Sequence, residues 1–146
     1  MNRRKASYFG VALLMALTLT ACSDSALTTT SKAMVDISAG VLAIQSTVIT
    51  AQQSGSITVD EARPVVQLTI EIASAGKNVD AAIAGVSNLA PADKSKILAI
   101  LGPVIISVQN EATSLNIANP TVKSAILASL ATIQAALATV RVALGG

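Results

Sequence analysis

Few side chains in this sequence have the chemistry of a catalytic group, and those few are scattered along the chain. The 146 residues include no histidine and a single cysteine, and charged residues make up only 12% of the total. Asp60 and Glu61 form the only adjacent pair of carboxylates. Both lie at the expected start of a helix, where acidic side chains interact favourably with the helix dipole. We therefore interpret this pair as part of a helix cap rather than as a general acid and base.

No other group of residues has the spacing of a known type of site. Four further acidic residues are widely spaced: Glu71, Asp80, Asp93 and Glu111. Ser95 lies beside Lys94 and Lys96, residue types that can form a nucleophilic Ser–Lys pair, but adjacent residues of a helix do not face each other. No alternation of acidic residues around a glycine indicates a calcium loop. The sequence predicts no catalytic residues, no metal site and no cofactor.

Aromatic residues are confined to the N-terminal region, where Tyr8 and Phe9 are the only two. The rest of the chain therefore offers no platform for stacking bases or sugars, and no glycine-rich phosphate loop is present. Neither a nucleic acid nor a small-molecule substrate is predicted.

The N-terminal region has the organisation of a secretory signal. Arg3, Arg4 and Lys5 form a basic stretch, and residues 8–19 are almost wholly apolar. A basic n-region followed by a short apolar h-region is typical of signal peptides, and this apolar stretch is shorter than the roughly 20 residues of a membrane span. Residues 1–21 are accordingly predicted to be a cleaved signal peptide.

The apolar stretch ends in a tetrapeptide with its own chemistry, Leu19-Thr20-Ala21-Cys22. It resembles the lipobox of bacterial lipoproteins, and this resemblance covers residues 1–22 only. It implies cleavage between Ala21 and Cys22, a diacylglyceryl thioether on the Cys22 sulfur, and often an acylated new N-terminus. Two or three acyl chains anchor a protein firmly. By the same resemblance, Ser23 after the cysteine favours the outer membrane if the source has two membranes.

Cleavage would change the charge balance. It would remove three of the ten basic residues and none of the eight acidic ones. The mature chain would be weakly acidic, so the positive charge of the precursor does not indicate binding to nucleic acid.

Beyond residue 31, apolar residues recur every three or four positions, which predicts helices. The first should span about Lys32–Gln53, and Val35, Leu42 and Ile49 widen its core-facing stripe. Residues 22–31, rich in serine and threonine with weak helix propensity, are interpreted as the lipidated cysteine and a flexible tether.

Three more helices follow. The second opens with the capping box of Thr58 and Glu61 and extends to about Ser87, with irregularity expected near Pro64. The third begins at Pro91 and should bend at Gly102-Pro103. The fourth begins at Asn119-Pro120, a cap followed by a favoured first position, and ends before Gly145. Four helices with short loops predict an all-α, antiparallel four-helix bundle over residues 32–146.

The polar faces of these helices carry few charges. The fourth helix has two rows of small residues: Ala128, Thr132 and Ala136, and Ala131, Ala135, Thr139 and Ala143. Three interpretations stay open: a tightly packed bundle with a weakly charged surface, self-association or docking on a partner, and contact with lipid. The candidate lipid segments, residues 97–108 and 125–140, are judged too short for a full span.

Together these patterns predict a lipid-anchored envelope lipoprotein with a non-enzymatic structural or protein-interaction role. Its anchor would be the covalent lipid on Cys22, and its partner an envelope protein or a second copy of the chain. The alternative is a small membrane-active lipoprotein of the lysis, toxin or exclusion type.

Overall fold

The computed structural model describes residues 25–146, which form four α-helices and, within that range, no strand. The helices are α1 (Ser25–Gln53), α2 (Val59–Ile83), α3 (Pro91–Ser114) and α4 (Pro120–Ala143). Each packs against its neighbours in chain order, and α1 and α4 close the ring. The predicted all-α four-helix bundle is confirmed.

The predicted caps are present. The Thr58 hydroxyl accepts a hydrogen bond from Glu61 N–H (3.2 Å), and a Glu61 carboxylate oxygen accepts one from Thr58 N–H (2.8 Å). The Asn119 side chain accepts hydrogen bonds from the N–H groups of Thr121 and Val122. These caps satisfy N–H groups that have no partner within the helix, which is why α2 and α4 begin where the sequence indicates.

The start of α1 differs from the prediction. Residues 25–31 were expected to belong to a flexible tether, but they form the first two turns of α1. Ala26 and Thr30 are buried one turn apart and extend the core-facing row that continues through Ala33 and Ile37. Packing against the bundle therefore overrides the weak helix propensity of this serine- and threonine-rich segment.

The other boundaries follow local signals. α2 ends at Ile83 rather than near Ser87, because Gly85 adopts a left-handed conformation (φ 72°) that ends the helix. α2 is continuous through Gly76, and α2 and α3 are each continuous across a proline, Pro64 and Pro103.

The core is built from branched aliphatic side chains in the middle of the helices. The fully buried large residues include Ile44, Ile97, Ile126, Leu130 and Ile133. α1 and α4 approach each other most closely. A Cβ atom placed on Gly40 of α1 would lie only 2.6 Å from Cγ1 of Ile133 on α4. Gly40 therefore permits a separation between these two helices that no other residue type would allow.

Candidate functional site

The adjacent carboxylates act as structural groups. Glu61 completes the α2 cap and also accepts a hydrogen bond from Ala118 N–H in the α3–α4 loop (2.8 Å). These hydrogen bonds, that from Ala118 foremost, hold the pKa of Glu61 below its ordinary value. Asp60 forms an exposed ion pair with Arg63 at 2.9 Å, one helical turn away. The cap interpretation is confirmed for Glu61, and Asp60 lies in the first turn of α2 as expected. The link to Ala118 is an addition that no sequence pattern indicated.

The other acidic side chains lie apart from one another. Glu71 is half-buried between α2 and α3, where the Ser107 hydroxyl donates a hydrogen bond to its carboxylate (2.9 Å). Partial burial raises the pKa of Glu111. Within residues 25–146, no three residues of the metal-ligating types come together.

The neighbouring Ser95, Lys94 and Lys96 are not arranged as a nucleophile and its base. Ser95 and Lys96 are exposed and Lys94 is half-buried. Among the described residues, no hydrogen bond joins Ser95 to either lysine. The structure therefore gives this trio no shared geometry.

Two shallow clefts lie between helices. The larger, about 220 Å³, separates α1 from α2 and is lined mainly by apolar side chains, among them Val48, Ile49, Val66 and Ile70. The smaller, about 100 Å³, separates α3 from α4 and includes Gln109, Gln134 and Arg141. Neither lining contains two titratable groups, so neither resembles an acid–base site.

The most distinctive surface of the bundle is apolar. Six of the eight large hydrophobic side chains that are exposed in residues 25–146 belong to α1 and α2, with exposures between 40% and 68%. We call these six the α1–α2 apolar face: Val35, Leu42, Ile49, Val59, Val66 and Ile70. The α3–α4 side exposes only Ile106 and Val142.

This face corrects one sequence prediction. Val35, Leu42 and Ile49 were expected to widen the core-facing stripe of α1, but all three are exposed. They recur every seven residues and fall roughly opposite Ile44 around the helix, so the core-facing stripe lies on the other side. The buried residues Met34, Val41 and Val48 recur with the same seven-residue spacing, so the sequence pattern alone could not tell which side of α1 faces the core.

The small-residue rows of α4 divide between core and surface. Ala136 is buried, whereas Ala128, Thr132, Ala131 and Ala135 are exposed. The close approach of helices that such rows permit occurs instead at Gly40, on α1.

Three of the described helices, α1, α3 and α4, are long and apolar enough to cross a membrane. The sequence prediction that the segments of α3 and α4 fall short of a full span was wrong. It considered only the most apolar stretches, whereas each whole helix has 24 residues rich in alanine, serine and threonine. The length and composition of these helices favour association with a membrane.

The residues predicted for lipidation and cleavage, Leu19, Thr20, Ala21 and Cys22, lie outside the described residues. The predicted signal peptide lies there too.

Comparison with known proteins gives no family assignment. No family model matches the chain, and no curated protein and no solved structure is significantly similar to it.

Proposed function

We propose that this protein is a bacterial envelope lipoprotein, anchored through lipid on Cys22, whose helical bundle is a non-enzymatic structural or protein-interaction module. The observation that carries the proposal is the α1–α2 apolar face, because an extended apolar surface suits contact with another surface rather than chemistry on a small molecule. The lipobox-like Leu19-Thr20-Ala21-Cys22 supports the anchor.

The proposed mechanism is tethering. A lipid on Cys22 confines the bundle to the plane of a membrane and raises its effective concentration toward anything else held there. The shortage of charged residues, 12% of the chain, suits a module that remains among apolar and weakly polar surfaces. The outer membrane is the proposed location in a two-membrane cell.

The anchor is tested by expressing the full chain in a lipoprotein-processing bacterium with radiolabelled palmitate. We expect a labelled membrane-bound product whose intact mass corresponds to Cys22 as the first residue plus acyl groups. The variant Cys22→Ala should stay unprocessed and unlabelled, whereas the matched variant Ser23→Ala should be labelled as the original chain is. A processed, labelled Cys22→Ala product would refute the proposed anchor.

A second candidate function is direct action on membranes, as in lysis, toxin or exclusion lipoproteins. It is favoured by the three helices that are long and apolar enough to cross a membrane. Purified acylated protein is added to dye-filled liposomes, with a matched amount of unacylated protein that begins at Ser23 as the control. The tethering function predicts retention of the dye at high loading, whereas leakage that depends on acylation would favour the membrane-active function.

A further inference from the structure

We infer that the α1–α2 apolar face rests on the lipid bilayer, with the axes of α1 and α2 parallel to the membrane surface. This inference depends on the proposed anchor at Cys22, and it adds the orientation of the bundle relative to that anchor. Three observations carry it: the length of the connection to the anchor, the distribution of charge, and the positions of two basic residues.

The connection between the anchor and the bundle is short. Only Ser23 and Asp24 separate Cys22 from Ser25, the first residue of α1. Three residue steps extend about 10 Å at most. Lipid on Cys22 would therefore hold the start of α1 at the level of the headgroups. The helix held there is the one that carries half of the apolar face, namely Val35, Leu42 and Ile49.

Half of the apolar face, Leu42, Ile49 and Val59, lies in the longest uncharged part of its two helices. No charged residue occurs between Asp36 and Asp60, which covers most of α1, the α1–α2 loop and the start of α2. Inserting Leu42 and Ile49 between headgroups therefore desolvates no ionised side chain of this stretch, and ionised groups are the costliest to move out of water. Val35 and Val59 each adjoin an acidic residue that marks an edge of the uncharged part, and Ile70 also adjoins an acidic residue.

Two basic residues flank the face on α2: Lys77, and Arg63, which also forms the exposed ion pair with Asp60. Arg63, Ile70 and Lys77 are spaced seven residues apart and so lie along one side of the helix. Long basic side chains can lie along an apolar surface while their charged ends reach the phosphate level. An apolar centre with flanking cations is the pattern of helices that bind in the plane of a membrane.

The same charges disfavour a second copy of this chain as the occupant. In a two-fold contact centred on Ile70, antiparallel α2 helices would place Arg63 opposite the partner's Lys77. Parallel α2 helices would place each of these residues opposite its own equivalent. Both arrangements oppose like charges, which is unfavourable across an interface. Anionic phosphate groups of lipids are complementary to both positions.

The test measures membrane depth at two positions of the acylated protein in phospholipid vesicles. Ser46→Cys places a thiol on the exposed side of α1, one turn from both Leu42 and Ile49, and Ala131→Cys places one on the exposed surface of α4. Cys22 is the only native cysteine and its sulfur would be acylated, so each new thiol reacts alone with an environment-sensitive fluorophore. We expect blue-shifted emission and quenching by brominated lipid at residue 46, and neither at residue 131.

A double variant, Leu42→Gln with Ile49→Gln, should reverse the blue shift and the quenching at residue 46. The matched double variant Ile106→Gln with Val142→Gln, which changes exposed residues on the other side of the bundle, should not. Persistence of the quenching in the first double variant would overturn the inference.

Other outcomes overturn the inference in distinct ways. Quenching at both positions would mean that the whole bundle is inserted. Quenching at neither position, when acylated protein is bound to the vesicles, would mean that the bundle lies away from the lipid. A blue shift at residue 46 without quenching by brominated lipid means that a protein surface covers the face. If the labelled protein carries no acyl group, the proposed anchor at Cys22 is refuted, and the inferred orientation is refuted with it.

Discussion

The two sides of α1 differ most at the point where α4 comes closest. Toward α4, the helix presents Gly40, whose lack of a side chain leaves room for Ile133. Toward solvent, it presents Val35, Leu42 and Ile49, each of which is more than half exposed. Large apolar side chains thus lie on both sides of α1, whereas a residue without a side chain lies where α4 comes closest.

The comparison shows that hydrophobicity alone does not decide which side of this helix is buried. Both sides are apolar, and the side that packs is the one whose shape matches its neighbour. The exposed residues then contribute little to the fold, and their retention as large apolar groups needs a different explanation, which the proposed contact with lipid supplies.

The largest expected difference between the two sides comes from one substitution made at two positions of α1. Ile44 is fully buried and Ile49 is 54% exposed. Ile44→Ala removes buried methylene groups and leaves a cavity, so the free energy of unfolding should fall by about 3–4 kcal/mol. Ile49→Ala should lower it by less than about 1 kcal/mol. Urea unfolding followed by circular dichroism measures both, and equal losses would show that the two sides are not energetically distinct.

The close approach of α1 and α4 predicts opposite signs for two glycine substitutions. Gly40→Ala places a Cβ atom 2.6 Å from Ile133, and this crowding should lower the free energy of unfolding by about 2 kcal/mol. Gly76→Ala in α2 meets only Met34 Cε at 3.4 Å, an ordinary contact. It should raise stability by about 0.5–1 kcal/mol, because glycine is unfavourable within a helix.

Both glycine variants are measured by the same urea unfolding. A stabilising Gly40→Ala would mean that α1 and α4 separate easily and that the size of residue 40 does not govern their contact.

The buried side of α1 also carries one polar defect. Thr30 and Thr69 are the two buried polar residues in the described part of the chain. The Thr69 hydroxyl donates a hydrogen bond to Val66 C=O, whereas the Thr30 hydroxyl has no partner. Thr30→Val replaces an unsatisfied buried hydroxyl with a methyl group and should raise the free energy of unfolding by about 1 kcal/mol.

The matched variant Thr69→Val breaks a hydrogen bond instead, so it should leave stability unchanged or lower. Thermal unfolding compares the two, and a loss of stability in Thr30→Val would show that the Thr30 hydroxyl is satisfied in solution.

The smallest effect on stability is expected from two carboxyl groups near the surface. The contributions of Glu61 and Glu111 to stability should change in opposite directions as the pH falls. The pKa of Glu61 lies below its ordinary value of 4.5, so its contribution to stability is present above that pH and is lost as the pH falls through the lower, folded-state pKa. The pKa of Glu111 is raised by burial, so its ionised form weakens the fold at neutral pH and protonation relieves this as the pH falls.

The measurement is the melting temperature across the acidic range. Glu61→Gln should flatten the loss of stability below pH 4.5, and Glu111→Gln should raise the melting temperature at neutral pH. Unchanged acid unfolding in Glu61→Gln would show that its hydrogen bonds to Ala118 and Thr58 do not depend on the charge.

The features that the sequence predicted well are local. The caps at Thr58 and Asn119 and the start of α3 at Pro91 depend on chemistry within one helical turn. Because apolar residues recur every three or four positions, four helices were predictable before any contact was known.

The features that were missed depend on contacts between distant parts of the chain. The helical state of residues 25–31 depends on burial of Ala26 and Thr30 in the bundle. The bond from Ala118 to Glu61 joins residues 57 positions apart. The exposure of Leu42 depends on which side of α1 meets α4, and an apolar pattern on both sides of a helix does not specify that. Lipidation of Cys22 stays a prediction.

The contact at Gly40 also fixes the alignment of two antiparallel helices along their length. Moving α1 along α4 by one or two turns would replace Gly40 with Ala33, Ile37, Ile44 or Thr47, each of which carries a Cβ atom where Ile133 now lies. A force on the proposed lipid anchor would act near the start of α1, and any component of it along the helix axis would push α1 along α4. The side chain of Ile133 then acts as a steric stop, so that α1 resists sliding as a rigid rod and the load passes to α4.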